Sequence, residues 1–204
     1  MTSVTIGSPE RHIEDPDLIG RRWRTGVVLL IVADASFVAA LVFSYFYLRG
    51  LNTEHAWLAP HQHTATIWTS WLITGLLAVS AVIFRGAVRA IQKGNERTFV
   101  TAAGIAALVV LVTTVIQFIQ LATFPFGVGV SSYSSCVYVM AGANLVHLLL
   151  TLFLGVAMVG RGRAHIYSAT SNWQVRIVGL WWAWVSFAAV ATAFATSFIA
   201  SPNR

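Results

Sequence analysis

Charge is scarce in this sequence. Only 10% of its 204 residues are Asp, Glu, Lys or Arg, against roughly 25% in ordinary soluble domains. With 57% hydrophobic residues beside that, the chain cannot clothe a water-facing surface in polar groups. A soluble globular fold is therefore excluded, and lipid is the solvent the composition suits. Cysteine is scarcer still. Cys136 stands alone, which excludes an internal disulfide and any zinc or iron–sulfur site built from several cysteines of this chain. It reads as a small packing residue near a helix start. Proline is confined to Pro9, Pro16, Pro60, Pro125 and Pro202, so the long apolar stretches hold no helix breaker. Soluble-enzyme motifs are missing as well. There is no phosphate-binding glycine loop and no nucleophile–base pair in a supporting context. No cleavable leader is expected either. The first 24 residues are polar with charges of both signs, and the apolar run after them ends in Tyr45-Phe46-Tyr47-Leu48-Arg49 without a small-residue cleavage site.

Long apolar runs are what the sequence does have. A membrane-spanning helix needs about 20 apolar residues. Five segments qualify, at approximately 27–48, 66–84, 99–121, 137–159 and 177–200. The pattern predicts an all-α membrane protein, a bundle of five transmembrane helices over 27–200, with a polar N-terminal tail at 1–26 and a short tail at 201–204.

The net charge of +6 would suggest nucleic acid in a soluble domain. Here the basic residues fall between the apolar runs, so topology explains them and no nucleic-acid partner is expected. Arg11, Arg21, Arg22, Arg24, Arg85, Arg89, Lys93, Arg97, Arg161, Arg163 and Arg176 fall on one side, and Arg49 and Arg204 on the other. Eleven against two places the N-terminus in the cytoplasm and the C-terminus outside. Tyr45, Phe46 and Tyr47, then Trp57, Trp68 and Trp71, and finally Trp173 fall near the ends of runs, where aromatic rings favour the headgroup level.

Of seven carboxylates (Glu10, Glu14, Asp15, Asp17, Asp34, Glu54 and Glu96) only Asp34 lies within a span. A charged residue there costs about 2.5–3.5 kcal/mol on insertion scales and is functional by default, facing the bundle interior. The competing reading is a structural acid at a helix contact. Val38, Leu41 and Tyr45 follow it on the same face, so its partners must come from other helices. His147 is the one histidine of six within a span. Two polar stripes accompany Asp34: Thr113, Gln117 and Gln120 on the third helix, and Met140, Asn144, His147 and Thr151 on the fourth. Such stripes hydrogen-bond between membrane helices. One intramembrane histidine cannot supply a haem held by two, so no catalytic centre, metal or cofactor is assigned to this chain. His55, His61 and His63 cluster beside Glu54 in a linker, a weak metal signal.

Several of these segments resemble subunit III of the haem-copper oxidases, the cytochrome c oxidase subunit 3 family. Ala33-Asp34-Ala35-Ser36-Phe37, followed by Phe43-Ser44-Tyr45-Phe46-Tyr47-Leu48-Arg49, is similar to that family's buried acid and aromatic continuation, with Asp34 where the family usually has Glu. Tyr133-Ser134-Ser135-Cys136-Val137-Tyr138 and Gly142-Ala143-Asn144-Leu145-Val146-His147 resemble its tyrosine–serine start and glycine–histidine–histidine pattern, and Trp181-Trp182-Ala183-Trp184-Val185 its aromatic run. The departures are Asn144 for a histidine, Arg176 for an acid, and Ala183 and Ser186 for a histidine and an aspartate. They leave room for a divergent paralogue. Five helices match the short bacterial form.

The resemblance implies a non-redox accessory subunit of a bacterial respiratory terminal oxidase in the inner (plasma) membrane. Such a complex reduces oxygen to water with proton translocation. Haem and copper are then expected on the partner subunits I and II, and bound phospholipid on this chain, which would stabilise subunit I and support its proton uptake. The alternatives are a similar partner of a nitric oxide reductase or quinol oxidase, and a small proton-linked transporter using Asp34.

Overall fold

The computed structural model describes residues 16–52 and 56–200. Glu10, Arg11, His12, Glu14, Asp15, Glu54, His55 and Arg204, which entered the sequence reading, lie outside the described residues. Five helices run in order: α1 (Pro16–Leu51), α2 (Ile67–Gln92), α3 (Glu96–Ala122), α4 (Ser132–Arg163) and α5 (Trp173–Thr196). All five are long and apolar enough to cross a membrane, and no strand occurs among the described residues.

Most helices outrun the apolar windows. The 36 residues of α1 make a rod of about 54 Å at 1.5 Å per residue, longer than a hydrocarbon core of about 30 Å. Pro16 sits at its first position, where a missing N–H costs nothing. The helix therefore takes in the arginine-rich turns around residues 21–24, so part of the polar tail expected at 1–26 is helical. Arginine is a good helix former, so the backbone needs no break where the side chains turn polar.

The short connections carry their own stop and start signals. After α2, Gly94 adopts φ +76°, a left-handed position that ends a helix. Asn95 next to it caps α3 by accepting a hydrogen bond from the Thr98 backbone N–H at 3.0 Å. Ser131 and Ser134 form a reciprocal capping box at the start of α4.

Helices α2, α3, α4 and α5 close a ring in which each packs against the next, and α1 lies outside it against α4 and α5 only. Small residues let the ring close tightly. Ala103, Ala106 and Ala107 of α3 are buried, and a Cβ on Gly155 of α4 would sit 3.0 Å from the Trp182 ring and 3.1 Å from Ala107. Trp182 in turn stacks on Phe84 with centroids 4.2 Å apart and donates its indole N–H to Ser80 at 2.9 Å. Apolar side chains gain little from leaving lipid for a protein interior, so close packing and interhelical hydrogen bonds hold such a bundle.

One end of the bundle gathers the α1 start, the α2–α3 turn and the α4–α5 loop. Gly20 abuts Trp173, and exposed His165 faces Glu96 at 2.6 Å. Ten of the eleven basic residues described lie towards this end, and Arg49 alone towards the other. Tyr167 fills the loop beneath them. Burial pushes its phenol up in pKa, against an opposing influence from Arg161.

The opposite end is plugged by rings. Here Tyr45 and Trp57 are buried within the bundle. The Tyr45 hydroxyl donates to Phe198 O at 3.1 Å and the Trp57 indole to Ile199 O at 2.7 Å. Carbonyls just past α5 satisfy the polar tips that would otherwise need water. Tyr47, Trp68 and Trp71 are exposed. Cys136 is half-buried beside the plug.

The closeness of the ring makes a direct prediction. Gly155→Leu forces apart α3, α4 and α5 and should destabilise the bundle by about 1–3 kcal/mol through overpacking. Gly142→Ala, on the same helix with no atom near the added methyl, should not lower the melting temperature. Thermal unfolding in detergent separates the two, and equal melting temperatures would contradict the packing described.

Candidate functional site

The intramembrane acid lies halfway along its helix. Asp34 is 18 residues past Pro16 in the 36-residue α1. Its face of α1 carries half-buried Ile31 and Leu41 and buried Val38 and Tyr45, while Leu30, Val32 and Phe37 point outward. This spacing, three or four residues per step, turns one narrow stripe of α1 onto the groove between α4 and α5. The Asp34 side chain retains 17% exposure and that of His147 retains 9%.

Both neighbouring helices supply a partner. The His147 Nε2 of α4 lies 3.0 Å from the Asp34 carboxylate. The Trp184 indole N–H of α5 donates to Oδ2 at 2.6 Å. One carboxyl group thus ties three helices near their midpoints. His147 is itself held from α5 and from its own helix. Its ring meets Trp181 edge-on with centroids 5.9 Å apart. The Thr151 hydroxyl donates to His147 O at 2.7 Å and accepts from Trp181 Nε1 at 3.2 Å.

A second polar chain begins one turn away. Asn144 donates to Gln117 Oε1 at 2.6 Å, Gln117 donates to Gln120 Oε1 at 2.8 Å, and Gln120 donates to Thr69 at 2.7 Å and Ser70 at 3.2 Å. The chain crosses from α4 through α3 to α2. Beside it, a cavity of about 40 Å³ is lined by Ser70, Thr74, Gln117, Gln120 and Asn144, enough space and polarity to admit water. Side-chain amides do not titrate, so this chain fastens helices. Of the two systems, the Asp34–His147 contact is the one that pairs a carboxyl group with an imidazole.

Of the residues singled out by the sequence, the structure brings together Asp34 with His147, and Asn144 with Gln117 and Gln120. Thr151 joins through His147. Thr113 is buried but turns its hydroxyl to Val109 O of its own helix, so it stays outside both networks. Ala183 and Ser186 do not enter the acid's surroundings, and Ser186 bonds back to Trp182 O. Trp184, Trp181, Thr69 and Ser70 were missed as site residues. The available signal for the tryptophans was their i, i+3 spacing in mid-helix, where an indole N–H in a water-free layer needs an acceptor. Among the described residues no three His, Cys, Asp or Glu side chains cluster to hold a metal, and His61 and His63 are exposed.

No protein-family model matches the chain. Curated relatives do. A cytochrome c oxidase subunit 3 of Synechocystis sp. is 27% identical over 191 residues, covering 90% of this chain and 77% of that protein. The cytochrome c oxidase subunit 3 proteins of the lancelets Branchiostoma lanceolatum and Branchiostoma floridae are 26% identical over 174 residues, covering 79% of this chain. The match spans 62% of the lancelet proteins, less than two thirds of their length. Similarity this extended, across a bundle of five membrane-spanning helices, makes the chain a distant relative of cytochrome c oxidase subunit 3.

Proposed function

We propose that this chain is the non-redox accessory subunit, subunit III, of a bacterial respiratory terminal oxidase in the inner membrane. The complex reduces oxygen to water with proton translocation. Haem and copper reside on its partners, subunits I and II, and this chain stabilises subunit I and supports its proton uptake. The single observation carrying this reading is the similarity to cytochrome c oxidase subunit 3 over 90% of the chain. The shape of the bundle supports it. Helix α1 is packed on one stripe only, and Leu29, Leu30, Phe37 and Phe43 remain exposed on its outer side, an apolar face suited to lipid or a further helix. In this reading the basic end of the bundle is cytoplasmic.

Asp34 is then the group through which the chain acts. Its carboxyl group and the His147 imidazole hold an exchangeable proton near the middle of the bundle, and Trp184 keeps the carboxylate aimed inward. The pair tunes proton supply to, or durability of, the neighbouring catalytic subunit.

Purification of the tagged chain in mild detergent tests the assignment. The expected preparation shows a haem spectrum and consumes oxygen. A colourless chain running alone, beside an oxidase that stays intact without it, would sink the proposal, and a haem preparation that consumes nitric oxide but not oxygen would move it to a different complex. For the acid, Asp34→Asn should assemble normally yet lose activity faster during turnover. Asp34→Leu leaves the Trp184 indole N–H and the His147 Nε2 without a partner at about 1–3 kcal/mol each and should impair assembly. Turnover and durability of Asp34→Asn identical to wild type would leave the acid a purely structural role.

A further inference from the structure

The cavity beside the amide chain extends beyond that chain. Its wall takes residues from all four ring helices, among them Thr74 of α2, Gln117 of α3, Asn144 of α4 and Thr192 of α5, and runs on to Thr66, Phe124 and Thr196. These last three stand at the start of α2, just past α3 and at the end of α5, away from the basic end. Exposure rises in the same direction, from buried Asn144 and Gln117 through half-buried Gln120 and Thr196 to exposed Thr66. The sides are fastened. Trp71 Nε1 donates to Ser197 Oγ at 3.1 Å and Thr74 Oγ1 to Ala189 O at 3.3 Å, joining α2 to α5. The amide bonds join α4 to α3 and α3 to α2, and α1 covers the α4–α5 side. The entrance is therefore at the end of the bundle.

A smaller cavity of about 10 Å³ lies between α1, α4 and α5, lined by Val38 and Leu41 of α1, Ala143 and His147 of α4 and Ala188 of α5. Met140, Asn144 and Thr192 line both cavities, so the two share one wall. Met140 is unbranched, and its rotatable bonds let it shift without moving the helix. Two polar atoms at this wall lack a protein partner among the described residues. Asn144 gives its amide N–H to Gln117 and leaves Oδ1 unused, and His147 spends Nε2 on Asp34 and leaves Nδ1. Towards the basic end the packing is closed. Trp181 meets His147 edge-on, and Trp182, Phe84, Ala107 and Gly155 fill the ring.

A wall of hydroxyls and amides without charge suits neither an acyl chain nor a bare ion. The first would leave polar groups unanswered, and the second would lose its hydration with no opposite charge in return. Water serves neutral donors and acceptors alike, and the larger cavity of about 40 Å³ has room for roughly three molecules at about 10–15 Å³ each. We propose that the two cavities form one water-filled vestibule that exposes the Asp34–His147 pair to the aqueous phase at the non-basic end of the bundle. One water in the smaller cavity meets His147 Nδ1. A proton from that phase is taken up at Nδ1 as Nε2 gives one to the Asp34 carboxylate, and the reverse steps return it. The proton step deepens the role given to Asp34 above and rests on it, whereas the water path depends only on the two cavities.

Silver ion, which travels in water and reacts with thiolate, tests the path in the assembly as it stands in sealed native membrane vesicles of either orientation. In a C136S background, A141C places a thiol in the larger cavity and A143C one in the smaller. V139C, at a similar depth on the same helix, faces outward. Silver added at the non-basic end should protect A141C and A143C from later alkylation at least about tenfold faster than V139C, read on this chain by mass spectrometry. Silver added at the basic end should leave A141C and A143C unprotected. A141F, which fills the larger cavity, should slow the reaction of A143C about tenfold, and A141V should slow it in part if the phenylalanine variant does not assemble. Equal rates for A143C and V139C, reaction of A143C from the basic end, or an A143C rate that the substitution at Ala141 leaves unchanged would overturn the proposal. These readouts need neither haem nor oxygen consumption, so failure of the accessory-subunit reading would leave them as they are.

Discussion

A single carboxyl group fixes where α1 belongs. Among the helices, the first packs only on α4 and α5, and both contribute a partner to Asp34, through His147 at 3.0 Å and Trp184 at 2.6 Å. Apolar contact alone would let α1 rotate or slide, because lipid satisfies its leucines and valines as well as protein does. A buried acid does not tolerate that freedom. Turning α1 by one residue would aim Asp34 into hydrocarbon, at the cost that keeps carboxylates out of membrane spans. The acid therefore sets both rotation and depth. The face that then points outward carries the exposed apolar side chains Leu29, Leu30, Phe37 and Phe43, suited to lipid or a further helix.

The rest of the bundle follows a similar division of labour. Ala103, Ala106, Ala107 and Gly155 bring backbones close, and Trp182 fills what remains. The amide chain from Asn144 to Thr69 then joins α4, α3 and α2. Interhelical hydrogen bonds in membranes average only about 0.6 kcal/mol each. Their weight lies in direction, since each can be made in one register only. The two polar systems meet on α4, where Asn144 and His147 are three residues apart on one face, so one helix organises both.

Much of this was legible in the sequence. Apolar windows mark five helices, and the basic residues fall between them in a pattern that sorts to one end. Asp34 stood out as the acid in a span, and His147 as the one imidazole in reach. The α3 and α4 stripes indeed face each other at Gln117 and Asn144. What the windows hid has physical reasons. Hydropathy marks where lipid ends and not where the helix ends, so α1 extends back through Arg21–Arg24 to Pro16 without any apolar signal. Tyr45 and Trp57 carry the same side chains as interface aromatics, and only the position of the carbonyls after α5 turns them inward. Trp184 reads as one more ring in an aromatic run until its N–H is seen to need an acceptor. Thr113 shows the converse, because a hydroxyl in a helix can satisfy itself on the preceding turn.

The central claim is that Asp34 couples α1 to α4 and α5 as one unit. A double-mutant cycle on Asp34→Asn and His147→Gln, with Trp184→Phe as the third corner, measures that coupling from unfolding in detergent. The account predicts strong non-additivity, with interaction energies in the range of about 0.5–3 kcal/mol and the second substitution costing far less than the first. Additive effects within about 0.3–0.5 kcal/mol would mean that the three residues act independently, and would contradict the account.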